Sequence, residues 1–147
     1  MESQDNTTMA VRRWAELWSS GDLSHASMVF APNVHDHRPP PLSDIQGIDG
    51  ERRFIAWVRA VFPDLRVEIE GLVAAGDRVA ARAMHRGAHC GDFLGIAPTG
   101  RAVAYEGTVI FRIADGRIAE RWGTVDLFGI LVQLTGTTLL PTLPPAG

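Results

Sequence analysis

Lysine is absent from this 147-residue chain, and all 14 of its basic residues are arginine. A Schiff-base aldolase, an enzyme carrying pyridoxal phosphate on its own lysine, and a phosphate-binding loop each need an amine, so all three are excluded. Cysteine occurs once, at Cys90, which rules out an internal disulfide and a thiolate zinc cluster. A nucleophilic Cys90 would need a positioned base. His89 is adjacent, but neighbouring strand residues face opposite sides, so the thiol reads as buried or incidental. No apolar run approaches the roughly 20 residues of a membrane-spanning helix. The opening Met1-Glu2-Ser3-Gln4-Asp5-Asn6 lacks the basic, apolar character of a signal peptide, so a cytoplasmic location is expected. The net charge of −3 lacks the electrostatic footprint of a nucleic-acid binder. With no dinucleotide glycine fingerprint and no cysteine pair, neither a metal nor an organic cofactor is expected.

What is present fits one ordinary domain: 46% hydrophobic and 21% charged residues exclude disorder and fibrous repeats. Thr7-Thr8 offers a helix cap, and Met9, Val11, Trp14, Ala15 and Trp18 follow near helical spacing until Ser19-Ser20-Gly21. A second short helix is expected from Leu23 to Phe30, stopped by Pro32. Val34-His35-Asp36-His37 reads as a short strand broken by Arg38 and the run Pro39-Pro40-Pro41. Asp49-Gly50 then opens a helix whose Phe54, Trp57, Val58 and Val61 share a face. From Leu65 the period becomes two. Strands are expected at 65–73, 79–89, 103–113 and 117–125, the last two joined by the hairpin pair Asp115-Gly116. Leu127 to Leu134 reads as a short helix. The domain spans 7–136, and 137–147, with Pro141, Pro144 and Pro145, reads as a flexible tail. Helices followed by strands make an α+β order: a cone-shaped barrel of a curved antiparallel sheet wrapped around the N-terminal helices. Such a cone encloses an apolar space that Trp14, Trp18, Phe54, Trp57 and Phe93 either line or simply fill.

The densest polar cluster is His35-Asp36-His37. Alternation puts Asp36 on one face and both histidines on the other. The histidines would bind a metal only if a third ligand such as His85 or His89 converged on them. Asp36 is either a turn cap or a general base, its pKa raised by an apolar pocket rim. His85 reads as a surface or interface histidine, whereas His89, at a strand end among glycines, is better placed to reach a ligand. Tyr105, the only tyrosine, is a candidate proton donor or an ordinary strand aromatic. Glu120 is expected to pair with a strand arginine.

Three segments carry a resemblance. Gly87-Ala88-His89-Cys90-Gly91-Asp92-Phe93-Leu94-Gly95-Ile96-Ala97-Pro98-Thr99-Gly100 resembles the GTHTGEFLGIPPTG loop of SnoaL-like polyketide cyclases. Phe111-Arg112-Ile113-Ala114-Asp115-Gly116-Arg117-Ile118, with Glu120-Arg121-Trp122, resembles their FRIEDGKIVEHW hairpin. Leu127 to Leu134 resembles their terminal LGLLQQLG. Trp18-Ser19-Ser20-Gly21-Asp22 and Asp36-His37 also fall where the family has related residues. The likeness, over about Val11 to Leu134, implies the nuclear-transport-factor-2-like cone shared with ketosteroid isomerase and limonene epoxide hydrolase, and a dimer formed through the sheet. The aspartate that aldol-forming members use as acid/base corresponds to Gly123 here, and their histidine on the preceding strand to Val109. Asp126 matches a different family aspartate.

The resulting expectation is a cofactor-independent cyclase acting on an apolar intermediate of polyketide-type antibiotic biosynthesis. Its alternatives are an isomerase or epoxide hydrolase, a hydroxylation partner, or a non-catalytic binding or dimerisation module. Asp36 would be the base, with His89 and His37 orienting substrate and Tyr105 stabilising oxyanion charge. Trp18, Phe54, Trp57, Phe93, Trp122 and Asp126 would contact substrate. A homodimer would cover a sheet face carrying residues such as Val67, Ile69 and Ile110.

Overall fold

Alternation of buried and exposed side chains from Arg66 to Val125 lays one face of a four-strand meander on the helices and turns the other outward. A computed structural model of the chain describes residues 3–39, 42–136 and 144–147. Its elements are α1 (Gln4–Ser20), a 3₁₀ turn (Leu23–His25), α2 (Ala26–Val29), β1 (Phe30–His37), β2 (Ile45–Gln46) and α3 (Gly47–Val61). There follow β3 (Arg66–Ala75), β4 (Arg78–Ala88), β5 (Ala102–Ala114), β6 (Arg117–Val125) and α4 (Leu127–Thr135). The six strands form one sheet in the order β2-β1-β6-β5-β4-β3.

The architecture is the expected α+β cone, with two differences. The sheet is mixed, because β1 runs parallel to β6 while every other pairing is antiparallel. It is also open, with β2 and β3 at its edges. The expected tail lies largely outside the described residues, and α4 ends at Gly136.

Several boundaries move for local reasons. Helix α1 starts before Thr7-Thr8 because the Ser3 hydroxyl accepts from the Asn6 N–H at 3.2 Å. Thr7 sits buried inside the helix instead. The second helix ends at Val29, since Phe30 already pairs with Ile118 of β6. Pro32 therefore lies within β1 rather than stopping a helix. It is tolerated because the register against β6 shifts between Phe30 and His35, where a missing N–H costs no ladder bond. The hairpin at Asp115-Gly116 has positive φ at both residues, 51° and 72°, the geometry a two-residue turn of this twist requires.

The core lies between the concave face of the sheet and the helices. Val11, Trp14, Phe30, Val34, Ile55, Phe111 and Ile118 are almost fully buried there, and Trp14 meets Phe111 edge-on at 5.1 Å. Val67 points into this core rather than onto the outer face, and Ile69 packs against it; Ile110 is outward and exposed. Cys90 is exposed, not buried. The segment after β4 is fastened to the end of α3 by the Cys90 and Gly91 N–H groups, which both donate to the Val61 carbonyl at 2.8 and 3.2 Å. A Cβ at Gly91 would overlap the Ala60 carbonyl oxygen, whereas one at Gly71 would meet nothing within 4 Å. Gly91→Ala should therefore lower stability in a urea titration by about 2 kcal/mol through backbone overlap. Gly71→Ala, in the same titration, should cost nothing measurable.

Candidate active site

Four aromatic side chains from three segments meet above the concave face. Trp18 lies in the last turn of α1, Phe54 and Trp57 are one turn apart on α3, and Phe93 comes from the loop after β4. Their rings follow one another at 6.0 Å (Trp18–Phe54), 5.9 Å (Phe54–Trp57) and 6.0 Å (Trp57–Phe93). All four line a cavity of about 260 Å³, together with Trp14, Phe62 and apolar residues of β6 and α4. The cavity is mostly apolar, and its polar lining comes from Arg38, His85, Tyr105, Arg121 and Thr124.

His85 and Tyr105 are cross-strand partners of β4 and β5, and their rings stack at 4.7 Å with 5° between the planes. His85 is thus a buried cavity residue, not a surface or interface one. Residue spacing put it on a strand but could not say that this face is the concave one. Burial lowers His85 to about 4 and pushes the Tyr105 phenol up, so both are neutral at physiological pH. A neutral imidazole and a phenol can donate or accept hydrogen bonds to a carbonyl or enol without bringing charge.

Asp36 does not stand at a pocket rim. It is fully buried behind the cavity lining, with both oxygens held by guanidinium groups. Arg121 Nη1 donates to Oδ1 at 2.8 Å, and Arg38 donates to Oδ2 from Nε at 3.0 Å and Nη2 at 2.6 Å. Parallel pairing of β1 and β6 sets Asp36 directly beside Arg121, while Arg38, two residues on, folds back over the Phe54 ring at 3.8 Å. Both lone-pair sets are therefore committed, and the carboxylate is an anchor for two cations rather than a free base.

Glu51 of α3 completes this cluster, and nothing in the helical spacing marked it. It is 1% exposed and its Oε1 has no partner among the described residues. Burial first, then the Asp36 carboxylate, pushes Glu51 up to about 8, against the opposing pull of Arg38 and Arg121. The Glu51 carboxyl group is therefore largely protonated and uncharged at neutral pH.

The other candidate residues fall outside the cavity. Strand alternation turns His37 and Trp122 to the outer face of the sheet, where they stack at 4.9 Å with 3° between planes. They line an adjoining, more open recess with Thr108 and Ile110, which shares Arg38, Pro39, Gly123 and Thr124 with the cavity. His37 Nε2 bonds Glu120 Oε2 at 2.9 Å, and Arg112 Nε donates to Glu120 Oε1 at 2.8 Å. The expected pairing of Glu120 with a strand arginine is thus present, and with His37 it holds that carboxyl low. His89 is fully buried and occupied with the loop it precedes: Nδ1 accepts from the Thr99 N–H at 3.1 Å and lies 2.9 Å from its hydroxyl. Asp126 caps α4, accepting from the Gly129 N–H at 2.8 Å. For metal, the third group beside His35 and His37 is Asp44, not His85 or His89; their ligand atoms lie within 4.8 Å of one another. The two imidazoles stack at 3.8 Å with 28° between planes, which sets their in-plane lone pairs side by side rather than on one point.

The model of SnoaL-like polyketide cyclases matches residues 8–134, nearly the whole described domain. The chain belongs to the SnoaL-like polyketide cyclase family. It is 30% identical over 129 residues to aklanonic acid methyl ester cyclase AcmA of Streptomyces galilaeus, covering 85% of this chain and 88% of the relative. Among solved structures, IdmH of Streptomyces antibioticus superposes with a TM-score of 0.79 at 31% identity, covering 88% of this chain and 98% of the other. TsrD of Streptomyces laurentii superposes with a TM-score of 0.81 at 29% identity, covering 93% and 100%. The chain is accordingly an enzyme with a polyketide cyclase role.

Within this SnoaL-like cyclase, the two positions that the resemblance links to acid/base chemistry, Val109 and Gly123, are direct cross-strand partners. Neither carries a titratable group here. A Cβ on Gly123 would lie 2.7 Å from Arg121 Nη2 and 2.9 Å from its Cζ. The Arg121 guanidinium therefore occupies the space in which a side chain at 123 would start. Glycine at 123 is what admits a cation at this point of the cavity.

The two perturbed groups make opposite contributions to pH-dependent stability. His85, lowered from 6.5 to about 4, binds fewer protons folded than unfolded, so stability rises with pH between those values. Glu51, raised from 4.5 to about 8, binds more protons folded, so stability falls as pH rises through that interval. The two oppose between about 4.5 and 6.5, and only Glu51 acts above. Urea midpoints of the wild type should thus fall from pH 6.5 to 8, while those of Glu51→Gln should stay flat. A further expectation concerns Asp36→Asn, which leaves two buried guanidinium groups without their anion. It should cost about 3–5 kcal/mol in the same titration.

Proposed function

We propose that this cyclase closes a ring in a polyketide-type intermediate of antibiotic biosynthesis seated in the aromatic cavity, without metal or organic cofactor. The observation that carries the reading is the guanidinium of Arg121 standing in the space of residue 123, at the polar end of an otherwise apolar pocket. An aldol closure makes one carbon–carbon bond and moves a proton from the attacking carbon to the new hydroxyl oxygen. Negative charge builds on an enolate oxygen on the way. Fixed donors aimed at such charge in a site of low dielectric are commonly the largest contribution to catalysis. Arg121 and Arg38 supply that field, and Tyr105 supplies a neutral donor. Asp36 holds the two cations in place. The walls formed by Trp18, Trp57 and Phe93 keep the chain folded near its attacking geometry, which lowers the entropic part of the barrier.

The test is conversion of a polyketide substrate by chelator-treated protein. Aklanonic acid methyl ester, the compound after which the AcmA relative is named, is a suitable first substrate. Closure should give a product of unchanged mass and altered retention. No acceleration over a protein-free control, with this ester, its free acid and their shorter-chain analogues, would reject the reading. Arg121→Met should lower kcat/KM about a hundredfold, the usual size of one lost electrostatic donor. If holding the chain in shape dominates, Trp57→Ala or Phe93→Ala should cost more than Arg121→Met.

We further propose a homodimer packed through the outer face of the sheet, where Ile110 is 43% exposed and Trp122 lies beside it. Light scattering should give about twice the 16.0 kDa chain mass. A particle of single-chain mass at every concentration would exclude the dimer.

A further inference from the structure

The cavity floor holds more positive charge than the chain itself neutralises. Arg38 and Arg121 both line the cavity, with side chains 7% and 5% exposed. A single carboxylate, Asp36, faces them both. Glu51 is the second carboxyl group in the cluster, yet its Oε1 has no partner among the described residues, and burial together with the Asp36 carboxylate favours its uncharged form. The nearby His85 is uncharged and stacked on Tyr105. Two guanidinium groups thus face one anion. The strain shows at Arg38, whose guanidinium is held below its ordinary range first by burial and then by Arg121.

An unmatched cation away from water is costly unless something neutralises it. Asp36 takes Nη1 of Arg121 and the Nε and Nη2 of Arg38. Arg121 Nε has no partner among the described residues, and the room that Gly123 leaves keeps this guanidinium at the cavity surface. Planar guanidinium groups match planar oxygen anions, by charge and by paired donors.

We infer that the cavity takes a ligand carrying one planar, delocalised oxygen anion, a carboxylate or the enolate of a vinylogous acid, docked on Arg121 and Arg38 with its apolar body among Trp18, Trp57 and Phe93. This rests on the cavity being the substrate seat. A carboxylate docked there differs from the methyl ester after which two relatives are named, because an esterified carboxyl group carries no charge. The substrate is then a free acid or an acidic enol at the end that meets the arginines.

Calorimetry with three probes of one shape class tests it: 2-naphthoate, methyl 2-naphthoate, and ionised 2-hydroxy-1,4-naphthoquinone, a vinylogous acid. At least one anion should bind tenfold or more tighter than the ester, and which anion does so tells carboxylate from enolate. In Arg121→Met the anions should fall to the affinity of the ester. In the wild type, the Arg121 Nε–H proton resonance should shift with the preferred anion and stay put with the ester, a readout that needs no variant to fold. Equal binding of all three probes would overturn the inference while leaving the cavity reading intact. Binding of none at millimolar concentration would overturn both. A preference that survives in folded Arg121→Met, or an Nε–H resonance unmoved by a tightly bound anion, would take the anion away from Arg121 and reject the assignment.

Discussion

One buried carboxylate ties the functional half of this molecule together. Asp36 sits near the end of β1, beside Arg121 of β6 in parallel register, and its second oxygen draws Arg38 back over the helix α3. Each cation would be costly to bury alone, and the one anion facing both offsets part of that cost. The parallel pairing of β1 with β6, the path of the chain after His37 and the polar floor of the cavity therefore depend on one another. Glu51, approaching from α3, adds a third element to the cluster and a proton to its charge balance.

The sheet then divides the polar residues between two environments. Along β6, Arg121 and Gly123 face the cavity, whereas Glu120 and Trp122 face out. Along β1, Asp36 is enclosed with the arginines while His35 and His37 form an outer stack with Trp122. Inside, charge is scarce, desolvated and strongly felt. Outside, His35, His37, Asp44, Glu120 and Arg112 form a part-exposed set of ion pairs in which water screens each contact, so their worth to stability is small. The inner set is the one that lines the aromatic cavity. The outer face is the surface on which a second copy would pack.

Compared with the family pattern, the exchange at one backbone position changes the character of the site. With no side chain at 123 and valine opposite at 109, the cross-strand pair offers no acid or base. The same gap lets the Arg121 guanidinium in. Where the resemblance would put an acid/base carboxylate, this chain has a glycine with the Arg121 guanidinium beside it. A substrate that reaches the cavity already ionised has given its proton to water, so the proposed ring closure asks no carboxylate base of position 123.

Much of this was legible in the amino-acid order. Period-two alternation located the strands, the Asp115-Gly116 pair located the hairpin, and the spacing of Phe54 and Trp57 put two aromatics on one helix face, because local backbone geometry alone sets those relations. Alternation also separated Asp36 from His35 and His37. It could not say which side of the strand would be the inside, nor that Arg121, 85 residues away, would arrive on Asp36. His85 and His89 show the same limit. Spacing put both on one strand face, yet β4 ends at Ala88, and while His85 lines the cavity, His89 turns its Nδ1 to Thr99. Glu51 carried no signal at all, since a glutamate on a helix is ordinary until the helix turns it into a core. The sequence by itself determined the elements, their faces and the absence of lysine and of a carboxylate at 123. Only the tertiary structure decided which charges would meet out of water, because that depends on long-range strand pairing and burial, and burial is what makes a charge matter.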